Sequence, residues 1–149
     1  MESSYRPQIL VPLDGSKLAR SAIEEVLPLA KATGATITLL AVMEPIMDRH
    51  FESFAHAEDI SISDAIEVYL EGEARQFSQD TGLVFSSMLL GGFGEKAGDV
   101  IAQFGAEHGF DMIAMSTRGL SGFKRLILGS VAKRVVEVTE VPVLLFPAK

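Results

Sequence analysis

Residues 8–15, QILVPLDG, form a short apolar run that ends at an Asp-Gly turn. This pattern predicts a buried β-strand, and Pro12 indicates that strand pairing stops near its end. Apolar residues then recur at steps of three and four over residues 18–30, which predicts a helix with Gly34 as its C-cap. The apolar, β-branched run over residues 36–43 predicts a second strand that is buried on both faces. The start of the chain is therefore predicted to be a β-α-β unit.

The same alternation continues to the end of the chain. Three further strands are predicted over residues 84–90, 111–115 and 141–146, because each is a short, largely apolar run next to a glycine or a turn. A stretch with helical spacing of apolar residues precedes each of them, and two of these stretches end near Gly82 and Gly109. The order β-α-β-α-β-α-β-α-β predicts an α/β fold: a five-stranded, mostly parallel sheet with helices on both faces, which is Rossmann-like.

Length and composition predict one globular domain over residues 1–149. The chain is 48% hydrophobic and 22% charged, which is enough apolar material for one core. The periodic pattern dissolves between residues 44 and 63, where we expect an irregular excursion over the surface. His50 and His56 lie there among carboxylates, but their spacing matches no helical pair of metal ligands. We therefore favour solvated loop residues over a metal site.

Charge and cysteine content argue against several functions. The net charge of −7 is unfavourable for general binding to nucleic acid or to anionic membranes. The absence of cysteine excludes disulfides, a thiolate zinc site and a cysteine nucleophile. The first residues lack the basic and apolar regions of a signal peptide, and the longest apolar stretch, residues 37–47, is interrupted by Glu44 and Pro45. We therefore expect a cytoplasmic protein.

The segment after the fourth predicted strand, residues 116–134, carries the most chemical information. Open parallel sheets bind ligands beyond the carboxyl ends of the strands, where the strand order reverses. Gly119 and Gly129 allow the backbone to come close to a ligand. Gly129 and Ser130 open the last predicted helix, so its free amides should face the same space as residues 116–119. Ser130 is also expected to cap that helix and to offer its hydroxyl to a ligand.

The charges in this segment agree with an anion site. No acidic residue occurs between Met112 and Val136, whereas five cations do. These cations are Arg118, Lys124, Arg125, Lys133 and Arg134. A run of cations in an acidic chain, combined with the glycines and the helix start, predicts a phosphate-binding site. The alternative is a surface loop followed by a solvated helix face.

Residues 115–131 resemble the nucleotide-binding signature of the universal stress protein family, which is Gly-x-x-Gly, nine residues, and then Gly-Ser or Gly-Thr. Gly119 and the pair Gly129-Ser130 match this signature without a gap. Ser116 takes the place of the first glycine, where its hydroxyl is able to donate to a phosphate or ribose oxygen. The resemblance extends over nearly the whole chain, and its other segments are residues 9–16, 37–42, 111–115 and 141–146.

The resemblance implies an adenine nucleotide alpha hydrolase-like fold that binds ATP, or else ADP or AMP, with Mg²⁺ able to accompany the nucleotide. It implies that Asp14 contacts the adenine amino group or the ribose. The residues it places beside the base are Pro12, Leu13 and Val42. Those it places at the ribose and inner phosphates are Met115, Ser116, Arg118 and Gly119. Those it places at the outer phosphates are Gly129, Ser130 and Val131. Without the resemblance, Asp14 is as readily a helix cap, and Val42 and Met115 are as readily core residues.

Of two other phosphate-binding motifs, one is matched only weakly and the other is absent. Residues 92–97 match G-x-G-x-x-A between a strand and a helix, the pattern of a dinucleotide site. They follow the third strand rather than the first, and Glu95 puts a carboxylate where a pyrophosphate would lie. We therefore favour a turn at residues 91–94. The chain contains no G-x-x-x-x-G-K-[ST] loop, which excludes a P-loop NTPase.

We expect a regulatory nucleotide-binding protein of the stress response with little or no catalysis. Phosphoryl transfer requires carboxylates that hold Mg²⁺, and Asp14 and Glu44 are the only acids near the predicted strand ends. One alternative is a slow ATPase or phosphotransferase that uses Arg118 or Lys124, and another is an interaction module that binds no nucleotide. A homodimer is expected through the terminal strand, residues 141–146, because pairing would cover an exposed sheet edge. The resemblance implies the same arrangement.

Overall fold

The computed structural model describes residues 5–92, 96–119 and 126–147. Within these ranges the strands are β1 (Gln8–Pro12), β2 (Thr36–Val42), β3 (Phe85–Leu90), β4 (Met112–Gly119), β5 (Leu126–Ile127) and β6 (Val143–Pro147). The helices are α1 (Lys17–Thr33), α2 (Pro45–Ala57), α3 (Ile62–Thr81), α4 (Ala97–Glu107) and α5 (Ser130–Val138). None of these helices is both long enough and apolar enough to cross a bilayer.

The centre of the fold is a parallel sheet with the strand order β3-β2-β1-β4-β6. This order confirms the prediction of a five-stranded, mostly parallel α/β sheet. The short strand β5 adds an antiparallel pairing at the end of β4, where Arg118 lies opposite Ile127. The chain leaves β1 on one side toward β2 and β3, and later returns on the other side to β4. A crevice therefore opens at the carboxyl ends of β1 and β4, the usual ligand position in such sheets.

Helices cover both faces of the sheet, because side chains alternate in direction along a strand. On one face, Ile9 and Val11 of β1 and Ala114 of β4 share a core with α1, α2 and α3. On the other face, Leu10 of β1 and Met115 of β4 share a core with α4 and α5. This alternation therefore decides which face of the sheet each side chain of β4 points to.

Helix α1 begins and ends as the sequence predicts. Ser16 is its N-cap, and the Ser16 Oγ accepts a hydrogen bond from the backbone N of Ala19 at 3.1 Å. Gly34 is the C-cap with φ of 70°, a left-handed conformation that glycine adopts without steric cost. The capping role thus belongs to Ser16 rather than to Asp14, which leaves the Asp14 carboxylate for other contacts.

The prediction of an irregular excursion over residues 44–63 is wrong for most of its length. Helix α2 occupies Pro45–Ala57, with Pro45 in its first turn, where the missing N–H and the fixed φ of proline are tolerated. Phe51 is buried against α3, and its ring centroid lies 5.3 Å from that of Tyr69. Phe51 and Ala55 are both buried and stand four positions apart, so the sequence does carry a helical signal here, which the charged and polar residues around them obscure.

Two strand boundaries also differ from the predicted ones. Strand β4 extends to Gly119 instead of ending at Met115, because pairing with β6 and then with β5 continues the ladder. Strand β6 begins at Val143 rather than at Val141, since Pro142 has no N–H to donate to a neighbouring strand. Both differences depend on strand neighbours that the local sequence does not reveal.

Replacing Gly72 with alanine is expected to stabilise the fold. Gly72 lies in the interior of α3, and a Cβ atom there would meet no described atom within 4 Å. Alanine loses less backbone entropy than glycine when a helix forms, so the free energy of unfolding should rise by about 0.5–1 kcal/mol. Chemical denaturation measures the change. At the matched control Gly82, φ is 73°, so alanine should be destabilising there. Equal effects at the two positions would contradict this account.

Candidate functional site

A cleft of about 450 Å³ opens at the carboxyl edge of the sheet. Its volume is in the range of small-molecule sites in proteins. The strand ends form its floor, and the first turns of α1, α4 and α5 form its walls. The residues that line it are Pro12, Leu13, Asp14, Ser16, Leu18, Ala19, Leu40, Val42, Glu44, Ala97, Ile101, Met115, Ser116, Gly129, Ser130, Val131 and Ala132.

The cleft brings together all but two of the residues predicted to bind a ligand. Those from β1 and the turn after it are Pro12, Leu13 and Asp14, those from β2 and β4 are Val42, Met115 and Ser116, and those from the N-cap and first turn of α5 are Gly129, Ser130 and Val131. Arg118 and Gly119 lie further along β4, where they pair with β5, and the described lining does not include them. Lys124 and Arg125 lie outside the described residues, and so do residues 93–95, which fall within the predicted turn and the G-x-G-x-x-A match.

Sequence reasoning missed the contributions of α1 and α4. Leu18 and Ala19 from the first turn of α1 line the cleft, and so do Ala97 and Ile101 from α4. Ala97 and Ile101 are four positions apart, so helical periodicity puts them on one face of α4. That this face reaches the cleft depends on how α4 crosses the sheet. Glu44, noted from the sequence only as a nearby acid, also lines the cleft.

Asp14 stands at the turn between β1 and α1 with one carboxylate oxygen engaged. Its Oδ1 accepts a hydrogen bond from the backbone N of Ser16 at 2.9 Å. Gly15 between them has φ of 87°, and a Cβ atom there would lie 2.8 Å from the ring of Phe51 in α2. Backbone geometry and packing on α2 therefore hold the turn. A carboxylate has acceptor sites for several donors, so Asp14 is able to accept a further hydrogen bond from a molecule in the cleft.

The start of α5 presents to the cleft backbone amides that have no partner within the helix. Gly129 is the N-cap, and the backbone N of Lys133 donates to the Gly129 carbonyl at 2.9 Å, the first bond of the helix. The amides of Ser130, Val131 and Ala132 therefore have no partner within the helix. The prediction that Ser130 caps α5 is wrong, because Ser130 is the first helical residue and, among the described residues, no side chain caps this end. These amides and the helix dipole make the end of the cleft attractive to an anion.

The two cations of α5 are paired with carboxylates rather than directed at the cleft. The Nε of Arg134 donates to the Oδ1 of Asp99 in α4 at 2.9 Å, and the Nζ of Lys133 lies 4.0 Å from the Oε1 of Glu137. Asp99 lies outside the acid-free stretch of the sequence and reaches Arg134 only because α4 packs on α5. The anion-attracting feature of the described cleft is therefore the helix N-terminus, and these two cations contribute at longer range.

Glu44 brings a second carboxylate to the cleft. The pKa of the Glu44 carboxyl is raised, mainly by partial burial and to a smaller extent by the negative charge of Asp14. The fold therefore disfavours the charged form of Glu44. Among the described residues, no group of three or more side chains is arranged to hold a metal ion.

Glu44→Gln is expected to raise the thermal stability of the protein at neutral pH. Because the folded-state pKa of Glu44 is raised, the stability contributed by its protonated form is present below the ordinary value of 4.5 and lost as the pH rises through the folded-state pKa. Glutamine mimics the protonated form at every pH, so its advantage should be largest above that window and vanish below it. Melting temperatures from pH 4 to pH 8 measure this. Glu52→Gln, at an exposed position of α2, is the control. A pH-independent gain would contradict the prediction.

Ser116 is an interior residue of β4, and its side chain lies on the α1 side of the sheet. Met115 before it packs with α4 and α5, so the strand alternation turns Ser116 the other way. The Ser116 Oγ lies 2.9 Å from the Oγ of Ser21 in α1. The hydroxyl predicted to donate to a phosphate or ribose oxygen thus already has a partner within the protein.

Comparison with known proteins agrees with this architecture. A sequence model of the universal stress protein family matches residues 6–147. The chain belongs to the universal stress protein family. This membership confirms the resemblance seen in residues 115–131 and in the separated segments around it. Among its relatives is the universal stress protein Sll1654 of Synechocystis sp., which is 32% identical over 142 residues, covering 93% of this chain and 84% of the relative.

Solved structures share the fold of this universal stress protein. The hypothetical protein MJ0577 aligns with a TM-score of 0.71 at 23% identity, covering 96% of each chain. A universal stress protein family protein from Arabidopsis thaliana, At3g01520, was solved with AMP bound. It aligns with a TM-score of 0.67 at 19% identity, covering 96% of this chain and 92% of the other.

Proposed function

We propose that this universal stress protein binds an adenine nucleotide, and ATP in particular, as a regulatory ligand. The observation that carries the proposal is the convergence of Asp14 with the unpaired amides of Ser130 and Val131 on one cleft. A carboxylate accepts hydrogen bonds from an amino group or a ribose hydroxyl, whereas a helix N-terminus attracts phosphate. A cleft with both features suits a ligand that has a neutral polar end and a phosphorylated end. The AMP held by the Arabidopsis protein supports the same ligand class.

In this proposal each part of the nucleotide has its own set of residues. The base contacts Pro12, Leu13 and Val42, with Asp14 at the adenine amino group or the ribose. The residues at the ribose and inner phosphates are Met115, Ser116, Arg118 and Gly119. The outer phosphates bind Gly129, Ser130 and Val131, and Mg²⁺ accompanies the phosphates. Binding rather than catalysis is favoured because Asp14 and Glu44 are the only carboxylates in the described lining, and phosphoryl transfer needs acids that hold the metal.

Calorimetric titration of the full chain with ATP, ADP and AMP tests the proposal. We expect one site per chain, and the Asp14→Asn variant should bind about tenfold or more weakly, because a hydrogen bond to a charged group is lost. Asp80→Asn, an exposed position in α3, is the matched control and should bind as the wild type does. Absence of both binding and thermal stabilisation with all three nucleotides would contradict the proposal and favour the interaction module. Phosphate release that persists in wild type but vanishes in Asp14→Asn would favour the slow ATPase.

We also propose a homodimer formed through β6. This strand pairs with β4 on one side, and its residues Val143–Phe146 are only partly buried in the single chain. A strand edge with unpaired backbone groups is a template for pairing with a second strand, and a twofold mate would cover it. Light scattering at micromolar concentration is the test, and a monomer there would contradict the proposal. The cytoplasmic location remains a prediction from the sequence.

A further inference from the structure

Two serine hydroxyls, one on β4 and one on α1, form a hydrogen-bonded chain beside the cleft. The Oγ of Ser116 lies 2.9 Å from the Oγ of Ser21, which lies 2.6 Å from the carbonyl oxygen of Leu18. The serines are 95 positions apart in the sequence, so the contact exists only because α1 packs on β4. Ser116 and Leu18 line the cleft, whereas the described lining does not include Ser21.

The carbonyl group of Leu18 decides the direction of this chain. A carbonyl oxygen carries no proton, so its contact with Ser21 is a hydrogen bond in which Ser21 donates. A serine hydroxyl has only one proton, and that of Ser21 is thereby used. Ser116 must then donate to Ser21, and the Ser116 proton points toward α1 rather than into the cleft. Toward the cleft, Ser116 offers only lone pairs.

An acceptor at this position discriminates between the parts of a nucleotide. Phosphate oxygens at neutral pH are themselves acceptors, so a phosphate next to Ser116 would find no donor there. A ribose hydroxyl has a proton to donate and matches the lone pairs of Ser116. Phosphate finds its donors instead at the free amides of Ser130 and Val131. Ser116 lines the same cleft as Asp14 and the start of α5. It lies on β4, a strand that pairs with β1 and packs on α5 through Met115.

We propose that Ser116 accepts a hydrogen bond from a hydroxyl of the ribose, and that Ser21 is the positioning residue that keeps the Ser116 proton out of the cleft. This inference rests on the proposed function and deepens it, because it makes the site selective for nucleotides that retain that hydroxyl. It also assigns a role to the serine that stands where the family signature has a glycine.

Titration with ATP, 2′-deoxyATP and 3′-deoxyATP tests the inference in wild type and three variants. In wild type, the analogue that lacks the bonded hydroxyl should bind about 3- to 10-fold more weakly than ATP, the effect of one neutral hydrogen bond. In Ser116→Ala, the affinity ratio of ATP to that analogue should fall close to one. In Ser21→Ala, the hydroxyl of Ser116 loses its acceptor, so its proton is free to turn into the cleft, where it competes with the proton of the ribose hydroxyl. The affinity ratio should therefore also fall. Ser21→Thr keeps a hydroxyl and should restore the ratio.

Ser130→Ala is the control variant, because we expect it to weaken phosphate binding without affecting recognition of the ribose. It should change the affinities for all three nucleotides by the same factor and preserve the ratio, since Ser130 belongs to the start of α5, where the proposal places the phosphates, and not to β4 or α1. Equal binding of ATP and both analogues to wild type would overturn the inference while leaving the proposed function intact. A ratio that survives in Ser116→Ala would overturn the role of Ser116, and one that survives in Ser21→Ala would overturn the role of Ser21. Failure of ATP itself to bind would overturn the proposed function and the inference together.

Discussion

Gly129→Val is expected to lower the affinity for ATP by about 10- to 100-fold, because the three side-chain carbons of valine would overpack the contact with the nucleotide. Gly129 is the N-cap of α5 with φ of −64°, a conformation open to any residue. A Cβ atom at this position would meet no described atom of the protein within 4 Å, yet Gly129 lines the cleft. The added side chain would therefore occupy space that the proposed phosphates need. Calorimetric titration with ATP measures the loss.

The stability of Gly129→Val separates a blocked site from a damaged fold. Valine is a poorer N-cap than glycine, so the free energy of unfolding should fall by no more than about 1 kcal/mol. Ser61→Ala is a matched control for this cost, since Ser61 caps α3 by accepting from the backbone N of Asp64 at 3.0 Å. The control should lose similar stability and keep full ATP affinity. If both variants lost affinity alike, the steric argument would be refuted.

Gly98→Ala is expected to lower the free energy of unfolding by about 1–3 kcal/mol, the usual cost of overpacking, despite the better helix propensity of alanine. A Cβ atom at Gly98 would lie 2.6 Å from the Cβ of Arg134 and 3.1 Å from the carbonyl oxygen of Val131. Neither atom is the end of a flexible side chain, so α4 and α5 must move apart. Because Ala97 and Val131 line the cleft, the same movement should weaken ATP binding.

Gly105→Ala provides the comparison within the same helix. A Cβ atom there would lie 3.3 Å from the Cδ1 of Ile113, which is the mobile end of a side chain. The helix propensity gain should then offset the contact, and the free energy of unfolding should change by less than about 1 kcal/mol. Denaturant titration of both variants measures the contrast. Equal destabilisation at positions 98 and 105 would show that α4 tolerates no added methyl group, and the argument from Arg134 would fail.

Features that arise from residues close together in the sequence could be predicted, whereas features that arise from residues far apart in the sequence could not. The caps of α1, Ser16 and Gly34, are local, because each acts on the first or last turn of its own helix. Helix α2 has no such side-chain cap, and the contact that buries Phe51, with Tyr69 of α3, is not visible in the local sequence. The pairing of Arg134 could not be predicted for a related reason, because its partner, Asp99, is 35 positions away in the sequence.

The order of apolar runs and turn residues by itself determined that this chain forms a parallel α/β sheet, because each run needs only its own neighbours to become a strand or a helix. It also determined that a glycine and a helix start follow the fourth strand. Only the tertiary structure decided which side chains converge on the cleft. The hydroxyl of Ser116 shows the reason. Its partner lies on α1, far away in the chain, and the direction of its proton is set by a carbonyl that only the packing of α1 on the sheet brings within reach.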